Sequence, residues 1–262
     1  VSNFLEHNIF IDEYITGNSF IDISQANDVV FCKTDFLNEF THTHAPVFVT
    51  HNSDYPIDWL RWKAKPQNLK HWYCQNKEVD NKKLIGIPIG LENMTLRVSE
   101  ASQNGRFSTA HGADKASHIN ELAHNNIDHS NLVYLNFNIN TRIIERKFVY
   151  ELLEKELWIT IKSSVHWKEY YLDIATHKFV VSPRGNGVDC HRTWEALYLR
   201  SIPIVRRSLH MKEFNDLPIL YIDDWSEVTE DFLLDSYDEM ATRQYDLSKM
   251  KTSYWKNRIK NV

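Results

Sequence analysis

Glycine is scarce in this chain, with seven in 262 residues, so the places where the backbone has been freed of a Cβ stand out. Two of them, Gly185 and Gly187, fall in a single turn. Cysteine is scarcer still. Cys32, Cys74 and Cys190 are odd in number, widely spaced and without a Cys-x-x-Cys pair, which argues against a disulfide framework or a cysteine zinc site and fits a reducing cytoplasm. A basic excess is also missing: the formal net charge is −5, which argues against a reader of nucleic acid backbones but leaves room for a small, highly charged ligand. No apolar run approaches the roughly 20 residues of a membrane helix. The opening VSNFLEHNIF has no charged region followed by a signal-type apolar core, so the expectation is a cytoplasmic protein with at most peripheral membrane contact. A chain starting at Val rather than Met is expected to be trimmed or a fragment.

Several motifs are absent as well. Neither G-x-G-x-x-G nor G-x-x-x-x-G-K-[ST] occurs, which removes the usual dinucleotide and P-loop sites. No Asp-x-Asp stands where a strand-end loop would place it, and the side chains of the adjacent Asp223 and Asp224 should diverge. His42-x-His44 and the scattered His111, His118, His124 and His129 have no carboxylate or cysteine at ligand spacing, so no metal site is expected.

What is present reads as an ordinary globular α/β protein, 42% hydrophobic and 25% charged. Short apolar runs at Val29 to Cys32, Pro46 to Thr50, Leu69 to Cys74 and Leu84 to Ile89 have the length and boundaries of buried strands. Short helices fit between them at Asp35 to Phe40 and Trp59 to Trp62. From Thr95 to about Ser130 large apolar residues thin out, which predicts a linker or surface excursion with a helix around His118 to Ala123.

The pattern restarts with a strand at Leu132 to Asn136. In the following segment, Arg142 to Glu156, residues Ile144, Phe148 and Leu152 recur every four positions, flanked by Val149 and Leu153, which predicts an amphipathic helix. Strands at Trp158 to Lys162, Phe179 to Ser182 and Ile202 to Val205 alternate with helices at Trp167 to Ala175 and Cys190 to Leu199. A strand at Pro218 to Ile222 and helical sequence from Thr229 follow. Such βαβ alternation implies a parallel sheet covered by helices. The expected organisation is an N-terminal domain over residues 1–130 and a C-terminal one over 131–262.

The richest segment is HKFVVSPRGNGVDCHRTWEALYLRSIPIV, His177 to Val205. In open α/β sheets ligands settle beyond the carboxyl ends of strands, and here Arg184, Gly185, Asn186 and Gly187 form a turn between such an end and a helix. Asp189 reads as the N-cap, which leaves the first helix amides facing an anion. Arg184 and Arg192 would bracket it, since a guanidinium matches two phosphate oxygens and keeps its charge. Arg142, at the start of another helix, could reach the same diphosphate. Glu195, one turn beyond Arg192, suits a pair of ribose hydroxyls. The plainer alternative is a simple strand-to-helix connection with Arg192 and Glu195 as a surface pair.

The run P-R-G-x-G, D-x-H-R-x-W-E-A-L and S-I-P-I-V resembles the donor-sugar half of exostosin-like glycosyltransferases. The match is specific over Lys178 to Val205 and weaker through ILYIDDW, and Arg200-Ser201 departs from that family's usual Gly-Cys. The resemblance implies a GT-B-like fold of two Rossmann-like domains facing across a cleft, with a nucleotide-sugar donor held by the second and a glycan or other hydroxyl acceptor by the first. It implies no cofactor beyond the donor and positive side chains in place of a metal; inversion of the anomeric centre is the expected outcome, with retention as the alternative.

Inversion calls for a general base from the first half. The polar segment after PVFVT offers His51, by its reference pKa, or Asp54, if burial raises it. Asn76 and Asn93 follow strand ends and would line the cleft, and Trp59, Trp62 and Trp72 are available to stack on sugars. The competing functional reading is a non-catalytic nucleotide- or glycan-binding module on the same fold.

Overall fold

The computed structural model describes residues 4–25, 28–40, 44–94 and 111–262. Four strands, β1 (Val29–Cys32), β2 (Val47–Thr50), β3 (His71–Cys74) and β4 (Leu84–Gly86), pair in sequence order, all parallel. β2 is buried along its whole length, as expected of a strand covered on both faces and written almost entirely in apolar residues. The short helices α1 (Leu37–Phe40) and α2 (Trp59–Lys63) lie between these strands. The Asp58 side chain caps α2 by accepting from Arg61 N at 2.8 Å and also takes its guanidinium at 2.9 Å.

After α3 (Gly112–His124) comes a second parallel sheet of β5 (Asn131–Leu135), β6 (Ile159–Ile161), β7 (His177–Val181), β8 (Ile202–Arg206) and β9 (Leu220–Ile222). Its spatial order is β6-β5-β7-β8-β9. From β5 the chain moves to one side for β6, then crosses back past β5 to β7 and on to β8, so the loops after β5 and β7 run in opposite directions and open a crevice at the carboxyl ends. The helices are α4 (Ile143–Leu153), α5 (Trp167–Ala175), α6 (His191–Tyr198), α7 (Glu230–Ala241) and α8 (Thr252–Lys260). None of the described helices is long and apolar enough to cross a membrane. The layout is therefore α/β with two parallel sheets, consistent with the expected GT-B-like fold.

One core runs through both sheets. Val47, Val49, Tyr73 and Ile85 of the first sheet share a buried cluster with Val180 and Val205 of the second, and with Trp194, Tyr198 and Trp255. Two further clusters cover the other faces, one under Trp62 and Leu37, the other under Val149, Leu153 and Leu233. The last helix crosses back to the first half: Thr252 Oγ1 donates to Tyr14 O at 2.9 Å, and Tyr73 Oη to Arg258 O at 3.2 Å.

The helix expected after the first strand of the second half is present but turned. α4 buries Arg146, Val149 and Leu153 and leaves Ile144, Phe148 and Leu152 exposed. Sequence periodicity identified the helix but selected the wrong apolar stripe. Val149 and Leu153 pack beside Val133 and Leu135 of β5, and that rotation carries Arg146 inward towards the turn after β7.

Candidate active site

The two sheets point their carboxyl ends at each other, and the loops there are joined by buried polar contacts. Asp189 is the hub. Its carboxylate accepts from Ile89 N at 2.8 Å, from Cys190 N at 2.8 Å and from Trp194 Nε1 at 2.9 Å, and His210 Nε2 lies 3.3 Å away. Lys77 N donates to His210 Nδ1 at 3.2 Å, so the hydrogen bonding puts the ring proton on Nε2, facing Asp189. Asp189 N in turn donates to Asn76 Oδ1 at 2.9 Å. The N-cap position of α6 belongs to Cys190, which makes no side-chain cap bond. Asp189 therefore corrects the expected cap: it is a buried clamp between the halves, and its carboxylate is fully committed.

The glycines of the turn also serve packing. Gly185 and Gly187 are buried and neither has a positive φ. A Cβ at Gly187 would stand 2.6 Å from Asn76 Nδ2, and one at Gly185 would stand 3.2 Å from Arg146 Nη2. Their role is close approach rather than unusual backbone conformation. Arg146, which sequence reasoning did not select, holds the turn through its carbonyls: Nε donates to Arg184 O at 3.0 Å and Nη2 to Pro183 O at 3.4 Å. Burial and the neighbouring Arg192 lower its pKa to about 10, still well charged at neutral pH. Both Arg146 and Arg192 place their guanidinium carbons 5.6 Å from the centre of the Phe137 ring.

Beside this turn lies a cavity of about 290 Å³. Arg142 comes from the start of α4, Arg184 from the turn, and Arg206 and Arg207 from the end of β8; all four line it, together with Glu145, Ser182 and Thr193. The neighbouring charges engage them loosely. Arg142 Nε lies 3.9 Å from Glu145, Arg184 Nη2 lies 3.6 Å from Glu78, and Arg207 Nε lies 3.3 Å from Asp223. Burial, followed by the charge on Arg142, lowers the pKa of Arg184, and its Nε is buried without a hydrogen-bond partner. Arg192 Nη1 is likewise unpartnered, although its Nε donates to Asn136 O at 3.0 Å. Buried donors of this kind are costly unless something accepts from them.

Other expected residues divide between the cleft and the core. Asp54 is exposed and crosses to the turn, its Oδ2 accepting from Asn186 Nδ2 at 3.1 Å. His51, by contrast, does not face the cleft. It is fully buried, with Nε2 2.7 Å from Pro88 O and Nδ1 3.2 Å from Gly17 O. Burial lowers its pKa, and a neutral ring donates to only one of two carbonyls; the shorter contact assigns that proton to Nε2. With its unprotonated Nδ1 turned towards a backbone carbonyl inside the core, the ring is out of reach of an acceptor hydroxyl.

Glu195 also turns inward. Its two oxygens accept from Tyr170 Oη at 2.9 Å and Tyr171 Oη at 3.1 Å. Burial and the Glu195 charge raise both phenol pKa values, which keeps the two hydroxyls protonated as donors. The pair of oxygens expected to meet ribose is thus occupied by protein.

Asn76 has φ +60° and is buried in the clamp, while Asn93 donates to Asn52 Oδ1 at 3.2 Å. Trp62 and Trp72 are core residues, but Trp59 is 61% exposed. Asp224 caps a short turn and Asp223 pairs with Arg207. His42 lies outside the described residues.

Comparison with known proteins returned little sequence kinship. No family model matches the chain, and no curated protein matches it. Among solved structures, it is similar to an α1,3-fucosyltransferase, with a TM-score of 0.44 and 13% identity over 89% of this chain and 78% of that one. Nothing in these comparisons singles out the exostosin-like family.

Proposed function

We propose that the protein is a glycosyltransferase that moves a sugar from a nucleotide-diphosphate donor to a glycan or other hydroxyl acceptor. The observation that carries this reading is that four arginines, Arg142, Arg184, Arg206 and Arg207, line one cavity at the carboxyl ends of the second sheet. A diphosphate gains negative charge when its bond to the sugar breaks, so a fixed positive field favours the departing group over the bound donor. In this reading the arginines take the role that a metal ion has in other transferases.

Residues 131–262 would form the donor side and residues 1–130 the acceptor side. Asp54, at the end of β2 and beside the turn, is the proposed general base. It would take the proton of the acceptor hydroxyl as that oxygen bonds to the anomeric carbon, while the electrons of the breaking bond leave on the diphosphate oxygen. Tyr55, which follows Asp54 in the chain, and Trp59 are both exposed and would stack on the acceptor sugar. Arg192 supports from behind, with one unpartnered donor available. Asn186 is proposed to orient Asp54, and Gly185 and Gly187 to shape the turn.

A thermal-shift screen against UDP, GDP, dTDP and CMP, with their sugars, tests the binding half of this reading. One nucleotide should raise the melting temperature in proportion to its occupancy, and Arg184→Ala should abolish that shift without lowering the ligand-free melting point. Asp54→Asn should keep the shift and lose transfer. Unchanged turnover in Asp54→Asn would remove the base assignment, and binding without turnover in the parent protein would favour a non-catalytic module.

A further inference from the structure

Helix α4 carries an apolar stripe that reaches the surface along its length. Ile144 is 91% exposed and Leu157, just beyond the helix, 101% exposed, while Phe148 and Leu152 lie between them on the same face. The spacing Ile144, Phe148, Leu152 advances one helical turn at a time, so the three side chains form one continuous ridge. Isolated exposed apolar residues are ordinary; a ridge of this length on a soluble surface marks an interaction site. We infer that this ridge is the centre of a two-fold dimer in which α4 packs antiparallel against α4 of a second copy, with Phe148 on the axis.

The charges beside the ridge favour a second copy. Lys147 and Glu151 flank the same side of Phe148 and already pair at 3.6 Å within the helix. In an antiparallel pair centred on Phe148, Ile144 lies over the second copy's Leu152, and Lys147 lies close to its Glu151. Two-fold symmetry forms that ion pair twice. A lipid surface suits the same stripe poorly, because interfacial helices favour a basic polar face, and the segment Ile143 to Leu157 carries four glutamates against three basic residues, Arg146, Lys147 and Lys155, of which Arg146 is buried. A standard interface covers about 800 Å² per partner, so the ridge would form the apolar centre and these charges the rim.

Sedimentation equilibrium of the full chain at tens of micromolar tests the proposal. The parent protein should sediment as a dimer, and Phe148→Asp as a monomer with an unchanged melting point. Lys147→Glu should weaken its own dimer at least tenfold, and so should Glu151→Lys, yet a mixture of the two single variants should form a heterodimer as tight as the parent dimer, because the intrahelical pair is lost in both chains and only a contact across the axis can restore the attraction. A parent that stays monomeric overturns the inference, as does a dimer that survives Phe148→Asp. A monomer that floats with phosphatidylcholine and phosphatidylglycerol vesicles, and no longer does so as Phe148→Asp, overturns it in favour of a membrane.

Discussion

Cys190 and the two other cysteines differ in what surrounds the sulfur. Cys32 and Cys74 are buried in the first-half core, where loss of solvent pushes the Cys32 thiol up to about 12 and raises that of Cys74 as well. Cys190 is half-buried, and its Sγ lies 3.2 Å from Oγ of Ser182, a residue that lines the arginine cavity. Since the thiolate is the reacting form and needs access, iodoacetamide should modify Cys190 in the native protein and leave Cys32 and Cys74 intact. A nucleotide in the cavity should slow that reaction several-fold. Mass spectrometry of the labelled peptides reads this directly, and comparable labelling of Cys74 would disprove it.

At the same scale, sequence reasoning did best where a residue's role depends on its immediate neighbours. The positions of Arg142 and Arg184 on the cavity and of Asp54 beside the turn were legible because polar side chains after apolar strands stand at strand ends. Arg206 and Arg207 were not, because two arginines after a strand also describe a solvated pair. Asp189 and His51 were misread for a different reason: their partners, Ile89 N and Pro88 O, lie 100 and 37 residues away, and nothing local announces them.

Elements were more legible than their faces. The helix expected at Trp167 to Ala175 and the strand at Val29 to Cys32 have the bounds found, because composition and boundary residues decide them. The rotation of α4 was hidden, since two apolar stripes compete along it and only packing against β5 selects one. The turn after β7 shows the same limit: its glycines were visible, but the side chains they admit were not. Gly187→Ala would force a Cβ against Asn76, a short side chain already bound to Asp189 N and Ser53 O, and should cost about 1–3 kcal/mol. Gly185→Ala meets the far end of Arg146 at 3.2 Å and should cost less. Urea unfolding of the two variants gives the order, and a costlier Gly185→Ala would refute the packing account.

On the scale of the whole molecule, the two halves are stitched together by long-range contacts, and one of these sets a pH dependence. His7 is buried, with Nδ1 accepting from Ile9 N at 3.3 Å and Nε2 3.1 Å from Tyr198 O. That pairing suits a neutral ring with its proton on Nε2. Burial, then the charge of Arg200, lowers its pKa to about 4, and burial lowers that of His129 to about 4 as well. Above pH 6.5 these rings are neutral folded and unfolded, so they contribute no slope. Below 6.5 the unfolded chain takes up protons that the folded chain refuses until about pH 4. Stability therefore falls as pH drops through that window, by up to about 1.4 kcal/mol per pH unit for each such ring.

The carboxylates act in a different window. Hydrogen bonds from Ser226 and Ser248 lower the pKa values of Asp224 and Asp246, so their contribution is lost only as pH falls below the ordinary carboxylate value, and the decline above pH 4 belongs to the histidines. Urea unfolding at pH 7, 6 and 5, at constant ionic strength, should show stability decreasing in that order. His7→Asn should be less stable at pH 7 and yet lose stability more slowly on acidification, by about one proton's worth of slope. An equal slope in both proteins would mean that His7 is already protonated in the folded state, and that its contact with Tyr198 is an ionic hydrogen bond instead of a neutral one.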